Sequence, residues 1–262
     1  MTVEFLIATI NRTNLNFLER IFNRIEQKDY FVLVINQCID IPLANIAPLS
    51  SHVRCISINE RGISKSRNMA IKNAIGDICV ISDDDVVFEN DVIQKLEHAY
   101  LNHTNDVNIF KIITPEGKPY KNYLSADKIL INNLDIMQVS SIEITFRRES
   151  IKKENILFNE KLGLGAELNG GEEICFLKDC LSHNLKIKYN TKFIVEHPKE
   201  SSGKNYSDRR NALWNGAMLK KLYPYLYIVF IIYFSLKRRK YYIEKFSLFQ
   251  YICLMLKGSR AL

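Results

Sequence analysis

The sequence predicts an α/β fold, a mostly parallel sheet with helices on both faces, followed by a C-terminal helical extension. Three observations carry this. The chain opens with an apolar strand, an amphipathic helix and a second apolar strand. Such a βαβ unit pairs its strands in parallel, with the crossover helix packed on one face. A second passage from helix to strand runs from an apolar face at Ala70, Ile71, Ala74 and Ile75 into the β-branched run Ile78 to Ile81. The composition is that of an ordinary globular chain. Its 262 residues, 47% hydrophobic and 25% charged, suffice for one large domain and an appendage, without repeats or low-complexity segments.

Taken in order, Val3 to Ile10 reads as a buried first strand. Glu4 stands where a leader peptide would carry a base, and the apolar run is short, so the segment is not read as a signal sequence. Leu15, Leu18, Ile21, Phe22 and Ile25 mark one helix face, and Phe31 to Ile35 returns as the second strand. Arg54 to Ile58 reads as a third strand. Gly76 follows the helix of Ala70 to Ile75 where a left-handed cap is expected. Asp91 to Tyr100 reads as a helix. The pattern is β-rich over 107–113 and 129–146, with Pro115, Gly117 and Pro119 making a turn between. Ile174, Leu177 and Leu181 recur at helical spacing, so Glu172 and Glu173 stand at a helix start. Lys186 to Val195 reads as a strand that His197 and Pro198 end.

The formal net charge of +7 is concentrated toward the C-terminus, where only Glu200, Asp208 and Glu244 offset many Lys and Arg from Lys199 onward. Such a tail suits phosphate-bearing partners or anionic lipid, with nucleic acid as the competitor. Leu222 to Leu236 carries no charge and is flanked by Lys220, Lys221 and the cluster Lys237, Arg238, Arg239, Lys240. A spanning helix takes about 20 apolar residues. This shorter stretch, with Pro224 near its start, reads as interfacial, and Phe246 to Leu256 lies beside it. The plainer alternative is a helical hairpin packed on the rest of the chain or on a second copy. The 222–251 region is too continuously apolar for a nucleic-acid platform, so no nucleic-acid partner is expected. The cysteines at 38, 55, 79, 175, 180 and 253 contain no Cys-x-x-Cys pair, which predicts reduced thiols, a cytoplasmic setting and no zinc site.

Ligands of open parallel sheets gather at the C-terminal ends of the strands. This places Thr9, Asn11 and Arg12, then Asn36 and Gln37, near Asp83, Asp84 and Asp85. Three adjacent carboxylates repel, so a cation is expected among them, and hard oxygen ligands suit Mg²⁺ or Mn²⁺ bridging to a substrate phosphate. An isolated Asp-Asp-Asp is more often a solvated turn. Here it lies between an apolar strand and the apolar segment Val86 to Phe88, which favours a site. Arg61, Lys65 and Arg67 supply charge suited to a diphosphate. Further on, Gly163, Gly165, Gly170 and Gly171 precede Glu172 and Glu173 and allow tightly turned backbone close to a ligand. A helix N-terminus favours ionised carboxylates, as a general base requires, and acidic capping is the plainer alternative. His52, His98, His103 and His183 read as surface residues.

The stretch Gly62-Ile63-Ser64-Lys65-Ser66-Arg67-Asn68, ahead of Asp83-Asp84-Asp85, resembles the nucleotide-sugar core of family 2 glycosyltransferases of the GT-A fold. Gly170-Gly171-Glu172-Glu173 is similar to that family's Gly-Glu-Asp element, whose second acid is usually the base. His197-Pro198-Lys199-Glu200-Ser201-Ser202 resembles the segment that brings a histidine to the metal or diphosphate. The resemblance implies a Rossmann-like GT-A catalytic domain over 1–204, with a nucleotide-sugar half at 1–100 and an acceptor half at 101–204, and a membrane-associating extension at 205–262. It implies an inverting, metal-dependent transfer from a nucleotide sugar to a saccharide or lipid-linked saccharide of a surface polysaccharide. Carried over by position, Thr9, Asn11, Arg12, Asn36, Gln37, Arg61, Ser64, Arg67, Asp83 and Asp84 bind the nucleotide sugar. Asp85, His197 and Asp83 ligate Mn²⁺ or Mg²⁺, Glu173 is the base and Glu172 contacts acceptor or sugar.

Many relatives carry an aspartate for uracil after the second strand, where this chain has Asn36 and Gln37 with Asp40 later; Val-Ile-Asn-Gln also occurs there in animal β-1,4-galactosyltransferases of the same fold. An amide both donates and accepts, so uridine is favoured. The expected setting is the cytoplasmic face of the membrane, reached through 222–256, with a homo-oligomer through the C-terminal helices as the other use of that surface. The rival functions are a nucleotidyltransferase, which would release pyrophosphate, and a non-catalytic basic binding module.

Overall fold

The computed structural model describes residues 1–26, 29–43, 46–101, 104–199 and 206–262. The chain divides into two compact units: Met1–Arg61, Lys65–Leu157 and Asp179–Lys199 make the first, and Gly62–Ser64, Phe158–Lys178 and Glu200–Leu262 the second.

In the first unit, β1 (Val3–Ile10), α1 (Phe17–Phe22) and β2 (Tyr30–Gln37) form the expected βαβ opening, with β1 and β2 parallel from Val3 opposite Tyr30 to Ile10 opposite Gln37. β3 (Val53–Ile58) lies parallel to β2. After α2 (Ile63–Asn73), β4 (Ile78–Asp83) lies parallel to β1 on its other side. Then follow β5 (Val87–Phe88), α3 (Val92–Leu101), β6 (Val107–Ile113), β7 (Lys128–Leu130), α4 (Asn133–Ile136), β8 (Ile144–Arg147), α5 (Arg148–Lys153), α6 (Glu172–Ser182), whose residues up to Lys178 belong to the second unit, and β9 (Ile187–Glu196). The described strands make one sheet in the order β3-β2-β1-β4-β8-β6-β9-β5, with β7 also paired to β9. The sheet is parallel over its β3-to-β4 half. Beyond β4, only β6 and β9 pair in parallel, while β8, β5 and β7 run antiparallel to their neighbours.

Two local expectations are corrected. Between 129 and 146, only the ends are strand; α4 and a 3-10 turn at Ser141–Glu143 occupy the middle. Side chains close these turns: Asn132 accepts from the Asp135 N–H, and Ser140 with Glu143 forms a capping box. Such caps offer the backbone local partners that compete with a strand ladder. Gly76 is not a left-handed cap, because it is not among the residues of positive φ. Glycine is needed there for space, since a Cβ would lie 2.5 Å from Glu4 Cβ and 2.9 Å from the Glu4 nitrogen. Glu4, fully buried on β1, accepts from the N–H groups of Ile75 (2.6 Å) and Gly76 (2.8 Å) and pairs with Arg54 at 2.6 Å. This clamp sets where the chain re-enters the sheet as β4.

β4 leads into the three aspartates, and Phe88 anchors the chain beyond them. Its ring lies 4.5 Å from that of Phe5 on β1 and stacks at 5.8 Å on Phe22 of α1, within a core that includes Val80, Val86 and Leu96. Apolar burial on both sides of the carboxylates therefore fixes the turn that carries them. Cys38, Cys79, Cys175 and Cys180 are buried thiols, Cys55 is half-buried and Cys253 is exposed. His52, His98 and His183 are exposed as expected, and His103 lies outside the described residues.

In the second unit, the first turns of α6 stack Phe176 on Phe158 at 4.4 Å. Three further helices follow: α7 (Arg209–Leu222), capped by the Asp208 carboxylate, α8 (Tyr227–Arg238) and α9 (Leu248–Gly258). A Cβ on Gly216 would overlap the Met255 carbonyl, and one on Gly258 the Leu213 carbonyl, so α7 and α9 cross backbone to backbone. Among the described residues, no helix is long and apolar enough to cross a membrane. α8 exposes Ile228, Val229, Ile232, Tyr233 and Leu236 along one face, with Tyr225 97% and Phe249 76% exposed nearby in sequence.

Candidate active site

The parallel register brings the strand ends together as the sequence predicts, with Ala8 opposite Asp83 and Thr9 opposite Asn36. Each of the three aspartates meets a different cation. Asp83 Oδ1 accepts from Arg67 Nη2 at 3.0 Å; Arg67, only 3% exposed on α2, also donates to Ser141 Oγ at 2.9 Å. Asp84 Oδ2 accepts from Arg12 Nη2 at 2.7 Å and Nε at 3.2 Å, and from the Thr9 hydroxyl. The Asp84 carbonyl accepts from Arg20 Nη2 at 3.0 Å. Asp85 Oδ2 lies 3.4 Å from His197 Nε2. The mutual repulsion of the carboxylates is thus offset by the guanidinium groups of Arg67 and Arg12, and by His197 when it is protonated.

Arg12 is held for this role at both ends. Its backbone is clasped by buried Asn36, whose Oδ1 accepts from the Arg12 N–H at 3.0 Å and whose Nδ2 donates to the Arg12 carbonyl at 2.8 Å. Its guanidinium lies 4.8 Å from the Phe17 ring centroid, within cation–π range. Asn11 takes a positive φ of 53°, a conformation its short amide tolerates. Its Oδ1 accepts from Ile39 and Asp40 N–H groups, and its Nδ2 donates to Asp40 Oδ2 at 2.7 Å. The amides of Asn11 and Asn36 therefore hold the loops after β1 and β2, while Gln37 is buried at the end of β2. Ser64 is buried and donates to the Leu162 carbonyl at 2.6 Å, a contact within the second unit. Arg61 is exposed just ahead of α2, and Lys65 pairs with Glu60 at 2.8 Å.

His197 follows β9, and its Nδ1 lies 2.5 Å from the Pro198 carbonyl. The hydrogen bond to Asp85 holds the imidazolium above the usual histidine range against the opposing effect of burial. The same bond holds Asp85 below the usual carboxylate range. Tyr120 meets the His197 ring edge to face at 5.8 Å. Among the described residues, no group of three or more His, Cys, Asp or Glu gathers as a metal site. The expected ligand set is divided, with Asp83 on Arg67 and Asp85 on His197. A carboxylate and an imidazole still fit Mn²⁺ or Mg²⁺, because such ions use few protein ligands and complete their shells with water and substrate phosphates. Loading would release the His197 proton. Ser201 and Ser202 of the His-Pro segment, and Glu200 before them, lie outside the described residues.

In the second unit, Glu172 and Glu173 open α6 as the sequence predicts, where the helix dipole favours their ionised forms. Glu172 is buried, and its Cδ would lie 3.1 Å from a Cβ on Gly163. Gly170 and Gly171, at φ 154° and 82°, pass against the Trp214 indole, which leaves 3.2 Å and 3.1 Å for a Cβ. These two glycines make room for a protein ring. Trp214, whose Nε1 donates to Asn211 Oδ1 at 3.0 Å, was not found by sequence reasoning, and its single occurrence in the chain is the only signal that marks it. Arg20, Tyr120 and Ser141 also escaped that reading, since each reaches the aspartates or their partners through tertiary contact alone.

The sequence model described as Glycosyl transferase family 2 matches residues 5–161, more than half of the chain. No curated protein matches the chain significantly by sequence. Among solved structures, S. aureus TarS 1–349 superposes with a TM-score of 0.58 at 16% identity, over 88% of this chain and 66% of that one. A longer S. aureus TarS structure gives 0.59 at 14% identity, over 92% and 44%. TarS 1–349 in complex with UDP-GlcNAc gives 0.58 at 16% identity, over 94% and 74%. The chain thus spans just under two thirds of the first of these proteins and less than half of the second, and the likeness is one of fold, GT-A. With the family model covering the β1-to-α5 region and the motif residues at the sheet's edge, the chain belongs to glycosyl transferase family 2.

Proposed function

We propose that the protein moves a sugar from a nucleotide sugar, with UDP as the nucleotide, to a saccharide or lipid-linked saccharide acceptor, inverting the anomeric centre in a single displacement. The observation that carries this reading is the alternation of carboxylates and cations at the C-terminal edge of the parallel strands: Asp83 with Arg67, Asp84 with Arg12, Asp85 with His197. Such a row suits a nucleoside diphosphate, whose phosphates meet the cations while the carboxylates take ribose hydroxyls or a metal. The GT-A fold shared with TarS, solved in complex with UDP-GlcNAc, supports the choice of uridine.

In this reading, Thr9, Asn11, Arg12, Asn36 and Gln37 shape the nucleoside side, and Arg61, Ser64, Arg67, Asp83 and Asp84 the ribose and diphosphate side. Asp85 and His197 would hold Mn²⁺ or Mg²⁺, which supplies charge stabilisation to the departing diphosphate. Arg67, fixed between Asp83 and Ser141, adds positive charge without having to reorganise. Glu173 takes the proton of the acceptor hydroxyl as it attacks the anomeric carbon from the opposite face, and Glu172 contacts the acceptor. The catalytic domain is 1–204. The extension 205–262 docks on the cytoplasmic face of the membrane through 222–256, with the apolar faces of α8 and α9 in the interface and the 237–240 basic cluster at the headgroups.

The test is calorimetric titration of the whole chain with UDP, GDP and CDP, each with and without Mn²⁺. UDP should bind best, Mn²⁺ should tighten it, and Asp85→Ala should remove the Mn²⁺ effect. A folded protein that binds none of the three refutes the reading.

A further inference from the structure

The first unit also contains a cavity of about 530 Å³ lined by Lys111, Lys121, Tyr123, Phe193 and Lys199, with Asn122 at its wall and none of the three aspartates in its lining. This is within the volume range of small-ligand pockets, roughly 300–1,000 Å³. Its basic groups are unequally committed. Lys121 is spent inside the protein, pairing with buried Glu143 at 2.6 Å and meeting the Gln138 carbonyl and Ser140 Oγ. Lys111 is different. Its ammonium lies 5.7, 6.0 and 5.4 Å from the ring centroids of Tyr123, Tyr189 and Phe193, and among the described residues no carboxylate pairs with it. The rings orient the ammonium without neutralising it. Because the protein's own cation already occupies that aromatic cluster, the site is unsuited to a cationic ligand. Lys199 adds exposed positive charge.

The cavity is also joined to the catalytic side by a short piece of chain. Pro119 and Lys121 line it, and Tyr120 between them stands edge to face on His197, the partner of Asp85. Tyr123, which lies edge-on to Phe193 at 6.2 Å, is fixed by donating to Glu143 at 2.7 Å and accepting from the Ile112 N–H at 2.9 Å. The walls are therefore aromatic surface, with the amide of Asn122 and the hydroxyl of Ser125, beside the Lys111 ammonium.

We propose that this cavity is an acceptor subsite for an anionic saccharide, a sugar ring bearing a phosphate or carboxylate, with Lys111 as the group that reads the charge. The proposal rests on the glycosyl-transfer reading and adds the class of acceptor. Tyr123 and Phe193 supply apolar surface for the ring, and Lys111 supplies a point charge that suits either anion.

The test is equilibrium binding of glucose 6-phosphate, galacturonate, glucose and inorganic phosphate to the whole chain, followed by NMR line broadening. At least one of the two anionic sugars should bind more tightly than both glucose and inorganic phosphate, and which one it is identifies the anion. Loss of the Lys111 contact in Lys111→Gln should weaken it about tenfold, while Lys111→Arg should retain most of the binding and an unchanged melting temperature should report an intact fold. Saturating UDP should not displace the sugar anion. Binding no better than that of glucose or phosphate, indifference to Lys111→Gln, or displacement by UDP overturns the proposal. The UDP titration of the unmodified chain is read separately, so failure of the donor reading and failure of this subsite give different results.

Discussion

Replacing Gly76 by alanine tests how the chain positions the strand that carries the aspartates. The new Cβ would sit 2.5 Å from Glu4 Cβ and 2.9 Å from the Glu4 nitrogen, both parts of β1 that no rotamer change can remove. Carbon atoms in contact prefer about 3.5–4.0 Å, so strand and loop must part by about 1 Å. Overpacking of this kind costs about 1–3 kcal/mol. Parting also stretches the bonds from Ile75 and Gly76 N–H to the buried Glu4 carboxylate, now 2.6 and 2.8 Å long. Bonds to a charged group each contribute about 1.5–3 kcal/mol, of which a part is lost. The stiffer unfolded chain returns about 0.4–1 kcal/mol. The net is a loss of about 3 kcal/mol, or a fall in melting temperature of roughly 6–12 °C for a chain of this size. Calorimetry and urea unfolding read it directly. Gly76→Asn is the companion variant. Asparagine tolerates the left-handed region, so a left-handed cap would make it milder than alanine. Here it should be at least as damaging. An alanine variant as stable as the parent, or an asparagine variant more stable than alanine, refutes the argument.

Asp85→Asn should lower the titration midpoint of His197, followed by imidazole NMR, toward the ordinary value near 6.5, because the Asp85 hydrogen bond is the main cause of its rise. The sign also sets a stability window for the metal-free protein. The histidine's contribution is full below about pH 6.5 and lost as pH rises through its raised value, while that of Asp85 is present above about pH 3.9 and lost as pH falls through its depressed value. An Asp85→Asn protein whose His197 titrates unchanged counts against the pair. Glu173→Gln should reduce turnover about 10²–10⁴-fold at unchanged melting temperature, the usual loss on removing a general base, and a fall of less than tenfold would reject the assignment. The whole chain should sediment with phosphatidylglycerol vesicles more than with phosphatidylcholine vesicles. Changing Lys237, Arg238, Arg239 and Lys240 to Gln should weaken this by about 1 kcal/mol per charge removed, and equal partition onto both vesicle types rejects the membrane surface.

Much of the fold was legible because its signals are periodic and local. The run Val3 to Ile10, the Leu15-to-Ile25 face and Ile78 to Ile81 announce buried strands and a covering helix, and the parallel register follows from the crossover. The aspartates' place at the end of β4 and the glutamates' place at the start of α6 came from the same reading. The middle of 129–146 differs from its sequence pattern, because its apolar spacing resembles a strand while Asn132, Ser140 and Glu143 close turns through side-chain bonds that periodicity does not register.

Sequence by itself therefore determined the family, the αβ order and the residue types at the strand ends, since burial periods and short motifs are written along the chain. Tertiary structure alone decided what each residue is paired with. It gave Asp83 to Arg67, Asp84 to Arg12 and Asp85 to His197, turned Gly76 from a cap into a clearance for Glu4, committed Asn36 to the Arg12 backbone, and placed Lys111 among three rings with no carboxylate partner among the described residues. The physical reason is range: backbone propensity and burial act over a few residues, whereas charge pairing and steric clearance depend on which distant segments the fold brings within a few ångströms.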